Sequence, residues 1–130
     1  MPFSMSKENN DSIITVEYNG LLTSYEMYEA CKEMFADIDK VMEYELIISD
    51  FSKVKETHLR DLDIKRLVKA CDAAARYKKD LTAVFIMPTT FLFSLGRIWH
   101  EHACTLPWKI KVVKSKKDAT DWINALSNVI

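Results

Sequence analysis

The chain has only two glycines, Gly20 and Gly96, three prolines, Pro2, Pro88 and Pro107, and three cysteines, Cys31, Cys71 and Cys104, in 130 residues. Each shortage excludes something. Two widely separated glycines cannot build a P-loop, a G-x-G-x-x-G phosphate cradle or a G-x-S-x-G nucleophile elbow. Sparse glycine and proline also leave no flexible linker or low-complexity tract, and the sequence has no internal repeat. An odd number of cysteines without a C-x-x-C spacing argues against a disulfide framework or a zinc ribbon. Neither charge sign dominates: 18 Lys and Arg face 19 Asp and Glu. The basic surplus of a nucleic-acid-binding face is therefore missing, and no nucleic acid is expected as a partner. No apolar run approaches the ~18 residues of a membrane span, and the opening MPFSMSKENNDS lacks the apolar stretch of a signal peptide. The expectation is a cytoplasmic protein without stable membrane insertion.

What is present is core material. Hydrophobic residues make up 48% and charged residues 28%, which suits a globular chain, and the length suits one domain over residues 1–130. Ser12 to Tyr18 alternates, with Ile14, Val16 and Tyr18 on one side and Thr15 and Glu17 on the other, as a half-buried strand does. Upstream, Glu8-Asn9-Asn10-Asp11 is turn chemistry that lets Phe3 to Ser6 fold back as a short antiparallel edge strand. After Gly20, Thr23 or Ser24 caps a helix running to near Asp39, with Tyr25, Tyr28, Cys31, Met34 and Phe35 as its apolar face. Tyr44 to Ile48 reads as a buried strand running out at Ser49-Asp50, and Ser52 to Glu56 as a polar connection. Thr57 is then placed to cap a long helix whose stripe is Leu59, Leu62, Ile64, Leu67, Val68, Cys71 and Ala75.

Leu81 to Met87 is the most hydrophobic short run and stops at Pro88, so it is expected as the central strand. Thr89 or Thr90 caps a third helix, Trp108 to Val113 forms a last strand, and Asp118 to Ser127 a final amphipathic helix. Alternation with short connections predicts an α/β fold: about four mainly parallel strands alternating with four helices through right-handed crossovers, plus the N-terminal edge strand.

Three segments carry a resemblance: Tyr18-Asn-Gly-Leu-Leu-Thr23 opening the first helix, Ile47-Ile-Ser-Asp-Phe-Ser-Lys-Val54 with its Asp-x-Ser-x-Val ending, and Ala119-Thr-Asp-Trp-Ile123 in the last helix. In their order and spacing the chain resembles the STAS superfamily, and more narrowly its SpoIIAA-like group of small bacterial proteins of uncharacterised role. The resemblance implies the SpoIIAA-like fold along nearly the whole chain. Anti-sigma factor antagonists of this superfamily carry a phosphorylated Ser at the start of the helix after the Asp-x-Ser-x-Val segment. Here that stretch is Glu56-Thr-His-Leu-Arg60, with Arg60 or its neighbour at the Ser position, so the resemblance implies that the phosphoswitch is lost.

Chemistry-bearing residues are few. His100 and Cys104 share a helix face but His102 does not, and two converging ligands fall short of a zinc site, so no metal is expected. Cys31 and Cys71 lie on apolar stripes, where a thiol behaves as a small hydrophobe. No nucleophile, base and oxyanion turn come together, and neither catalysis nor a cofactor is expected. Asp50, Ser52, Thr57 and His58 lie where one strand meets a helix, and Thr89 and Thr90 at the next such junction; both are places where open α/β sheets take ligands and helix N-termini take anions. The competing account is that Asp50 and Ser52 tie down their own loop while the threonines cap. On the third helix, Phe91, Leu92, Phe93, Leu95, Ile98 and Trp99 cover too much circumference for one stripe, which predicts packing on a neighbouring helix, a partner surface or a pocket.

The leading expectation is a non-enzymatic binding or regulatory module acting through protein contacts, with another protein or a second copy as partner. The alternative is a small carrier of an apolar or lipid-like ligand, with Phe85, Met87, Phe91, Leu95 and Trp99 lining a cavity and Arg97 or Thr90 at its polar end.

Overall fold

A computed structural model describes residues 3–127. Five strands form one sheet in it: β1 (Phe3–Glu8), β2 (Ile13–Leu22), β3 (Leu46–Thr57), β4 (Thr82–Ile86) and β5 (Lys109–Val113). They lie side by side in chain order, β1 antiparallel to β2 and the others parallel. The β1–β2 hairpin turns on Asn9, Asn10 and Asp11, all three at left-handed φ (56°, 59° and 68°). Asn and Asp tolerate that region best among residues with a side chain.

The helices are α1 (Ser24–Phe35), α2 (Ile38–Glu43), α3 (Asp61–Tyr77), α4 (Thr90–His102) and α5 (Lys116–Ser127). A right-handed crossover that always steps to the next strand on the same side keeps its helices on one face of the sheet. Accordingly α3 packs between α1 and α4, whereas α5 packs on β4 and β5 and belongs to a separate core. The main core joins Ile14, Val16 and Tyr18 of β2, Ile47 and Phe51 of β3, and Phe85 of β4 to the buried faces of α1, α3 and α4. Tyr18 stacks on Phe51 at 4.8 Å, and Phe85 meets Trp99 edge-on at 5.2 Å, geometries that aromatic pairs favour. The smaller core gathers Leu46, Val84, Ile86, Val113 and Ala119, with Trp122 and Ile123 against it.

Several sequence expectations need correction. There are five α-helices among the described residues rather than four, because the first one stops at Phe35. The Asp37 side chain then accepts the Asp39 N–H at 3.0 Å and caps α2. Ser52 to Glu56 is not a connection but part of β3, since β2 continues past Asn19 and offers it a partner. The pairing holds through two register shifts, beside Asn19 and beside Gly20, and Gly20 takes φ 64° there. Such bulges interrupt the period-2 pattern that identifies a strand. Finally, Tyr25 and Tyr28 are exposed and the buried face of α1 is Met27, Ala30, Cys31 and Met34; Leu62 on α3 is exposed as well.

Candidate functional site

The carboxyl ends of β2 and β3, together with the first turns of α1, α3 and α4, form one rim of the molecule. Thr57 closes β3: its hydroxyl donates to the Leu22 carbonyl at 2.9 Å and accepts the Leu59 N–H at 3.2 Å. It therefore ties two strand ends together and does not cap α3, as the sequence led us to expect. The residue in the N-cap position is Arg60, whose N–H donates to Asp63 Oδ2 at 2.9 Å. Asp61 in the same turn pairs with His102. Asp61 and Asp63 thus set two carboxylates beside the free N–H groups at the start of α3. His58 itself is exposed and lies 3.3 Å from Glu56.

Thr89 caps α4 by accepting the Leu92 N–H at 3.1 Å, and Thr90 opens that helix. A cleft of about 130 Å³ brings Thr57 and Thr89 together with Val54, Glu56, Phe91 and Leu92. Asp50 and Ser52 do not line it. Asp50 is 2% exposed, on the α5 side of the sheet; its Oδ1 accepts both the N–H of Ser52 (2.9 Å) and its hydroxyl (2.5 Å). Lys116 at the start of α5 lies 3.6 Å from its Oδ2. This carboxylate spans a bulge in its own strand, so its bonding is structural.

Large apolar side chains are exposed along the rim. Leu21 is the last residue but one of β2, Tyr25 and Tyr28 lie on α1, Leu62 in the first turn of α3, and Phe91 in the first turn of α4; all are exposed, Tyr25 by 70% and Phe91 by 58%. A second cleft, of about 350 Å³, joins Tyr25 and Tyr28 to Asp63, Arg66 and Leu67. Only Phe91 of this set was singled out from the sequence as a site residue. Aromatics placed on the helical stripe by spacing alone look like core, and the signal that separates them is position: Tyr25 lies in the first turn, two residues after the Thr23 cap.

The rest of α4, the third helix expected from the sequence, divides differently. Leu92, Leu95 and Trp99 are buried in the main core, Ile98 packs against it, and Phe93 lies half-buried under Lys114, whose Nζ is 5.1 Å from the ring centroid. Arg97 and Phe93 line a groove between α4 and β5, away from the rim. The excess apolar circumference is thus used mostly by core packing, leaving Phe91 outside. The enclosed space between the sheet and its helices amounts to about 40 Å³, beside Tyr18, Cys31, Phe85 and Trp99. A drug-sized or lipid-sized ligand needs ~300 Å³ or more, and Phe91 does not face this space.

Cys31 and Cys71 are buried there side by side, and Cys104 is exposed. A hydrogen bond with Cys31, and burial, push the Cys71 thiol well above its ordinary range, which leaves Cys71 a poor nucleophile. Burial also raises the Tyr18 phenol. Among the described residues no three His, Cys, Asp or Glu side chains are placed to hold a metal ion, and no helix is long and apolar enough to cross a membrane.

No protein-family model and no curated protein sequence matches the chain significantly. Solved structures do. An uncharacterized protein of the DUF3478 family with a SpoIIAA-like fold, from Shewanella loihica PV-4, is 18% identical, with a TM-score of 0.56 over 92% of this chain and 90% of its own. The anti-sigma factor antagonist SpoIIAA in its unphosphorylated form is 11% identical, with a TM-score of 0.58 over 94% of this chain and 97% of its own. The fold is SpoIIAA-like, as the sequence resemblance implied.

Proposed function

We propose, from the SpoIIAA-like fold and the geometry of the rim, that this chain is a non-enzymatic interaction module of STAS type that engages a protein partner where α1, α3 and α4 begin. One observation carries this reading: Leu21, Tyr25, Tyr28, Leu62 and Phe91 are all exposed at the same end of the molecule, on four different elements. Rigid aromatic and aliphatic side chains set on the ends of packed helices are what a protein interface uses as anchors. The carrier alternative has less support, because the apolar space between the sheet and its helices is about 40 Å³.

Photo-crosslinking in the native host tests the proposal. A photoreactive phenylalanine replacing Tyr25 or Phe91 is expected to capture one and the same protein, another chain or a second copy, and Leu62→Asp is expected to abolish the capture. A probe at Lys7 on β1 serves as control. If the two rim positions capture nothing, or the same products as Lys7, the reading is wrong.

A further inference from the structure

The opposite flank of the sheet carries a second surface. β5 is an edge strand, and its ladder to β4 shows which of its groups are engaged. Lys109 N–H donates to the Leu81 carbonyl at 3.0 Å, and the Val113 carbonyl accepts the Met87 N–H at 2.8 Å. In a parallel ladder one residue directs both of its polar groups to the same neighbour and the next residue directs both away. Lys109, Lys111 and Val113 therefore bond towards β4, and the N–H and C=O groups of Ile110 and Val112 point out from the edge. No described residue bonds to them.

The two sides of this edge differ. Ile110 and Val112 pack against the main core, on the side where a groove of about 430 Å³ runs between β5 and α4 past Phe93, Arg97 and His100. Lys109 and Lys111 alternate with them on the other side and are exposed. Neither lysine, nor Arg97, has an ion-pair partner among the described residues. Glu101 is the single carboxylate among the described residues that line the groove. The flank thus has a local cation surplus in a chain whose net charge is −1.

We infer that β5 takes up an extended acidic segment of a partner protein as a sixth strand. Such a strand continues the pleat of the sheet, so its side chains alternate between the two sides. Those beside Phe93, Ile110 and Val112 are apolar, and those beside Lys109 and Lys111 are Asp or Glu. Lysines on an open edge also discourage pairing with neutral or basic strands, so the same two residues that attract an acidic strand reject others. This surface is separate from the rim and does not depend on the rim's role.

Fluorescence polarisation with a labelled synthetic peptide of about six residues, a usual strand length, alternating glutamate and valine, tests the inference on the intact chain. Saturable binding that weakens as salt is added is expected, and a lysine–valine peptide should bind roughly tenfold more weakly or not at all. Lys109→Glu with Lys111→Glu should weaken the acidic peptide by a similar factor, with the fold checked by circular dichroism. Methylating the peptide's backbone nitrogens on its pairing side removes the strand donors and leaves its charge, so it should abolish binding without altering the protein. Equal binding of the methylated peptide, indifference to the lysine reversal, or no binding of the acidic peptide at low salt would each overturn the inference. So would a loss in Phe91→Asp equal to that in the lysine variant, which would move the peptide to the rim.

Discussion

Asp50 is buried, and its carboxylate is hydrogen-bonded within its own strand. The residue stands out in the sequence because carboxylates at strand ends serve ligands, yet its oxygens are turned to Ser52 and Lys116. Asp50→Ala would leave the Ser52 N–H and hydroxyl without their acceptor, at about 2 kcal/mol. Asp50→Asn keeps an acceptor and loses only the attraction of a largely exposed lysine, so it should cost under about 1 kcal/mol. Urea denaturation of the two variants checks the order; equal losses would mean that charge, not bonding, matters here. Gly96 is the reverse case, a residue whose role was invisible in the sequence. A Cβ there would lie 2.5 Å from Met87 Sδ and 2.7 Å from Val112 Cγ1, so the missing side chain is what lets α4 close on β5. Gly96→Ala gains about 1 kcal/mol of helix propensity and meets an overpacking penalty of roughly 1–3 kcal/mol. A net loss of about 1 kcal/mol is expected in the same assay, and a gain would show that Met87 and Val112 yield freely.

Among the elements, β4 and α4 were the most legible. An uninterrupted apolar run stopped by Pro88 could hardly be anything but a buried strand, and Thr89 caps the helix that follows. β3 was legible only to Asp50. Its second half is polar at Ser52, Lys53, Lys55 and Glu56, and only Val54 there turns into the core. The pairing that makes it a strand comes from β2, and no local pattern contains it. Thr57 was misplaced for the same reason: its partner, the Leu22 carbonyl, is remote in sequence. Thr57→Val keeps the shape and removes both hydrogen bonds, so about 1–2 kcal/mol of stability should go. Native-state hydrogen exchange should report faster opening of the Leu59 amide, and unchanged protection there would mean that the turn between β3 and α3 is held by packing alone.

For the whole molecule, the contrast between β2 and β4 was a topological clue in the sequence. β2 alternates because the side of the sheet opposite α1, α3 and α4 is covered mainly near β4 and β5, where α5 lies; β4 is apolar from Ala83 on because it has helices on both sides. Periodicity therefore told which strand is covered on both faces, not which is central: Leu81 to Met87, expected as the central strand, supplies the fourth of five, and β3 lies in the middle, since strand neighbours are set by contacts that short windows do not span. The consecutive order from β1 to β5 also matters while the chain is being made. On the ribosome each strand emerges to find its neighbour already translated, and none has to be threaded between two strands that have formed. The order lets synthesis and assembly run in the same direction, each new strand joining at the growing margin of the sheet.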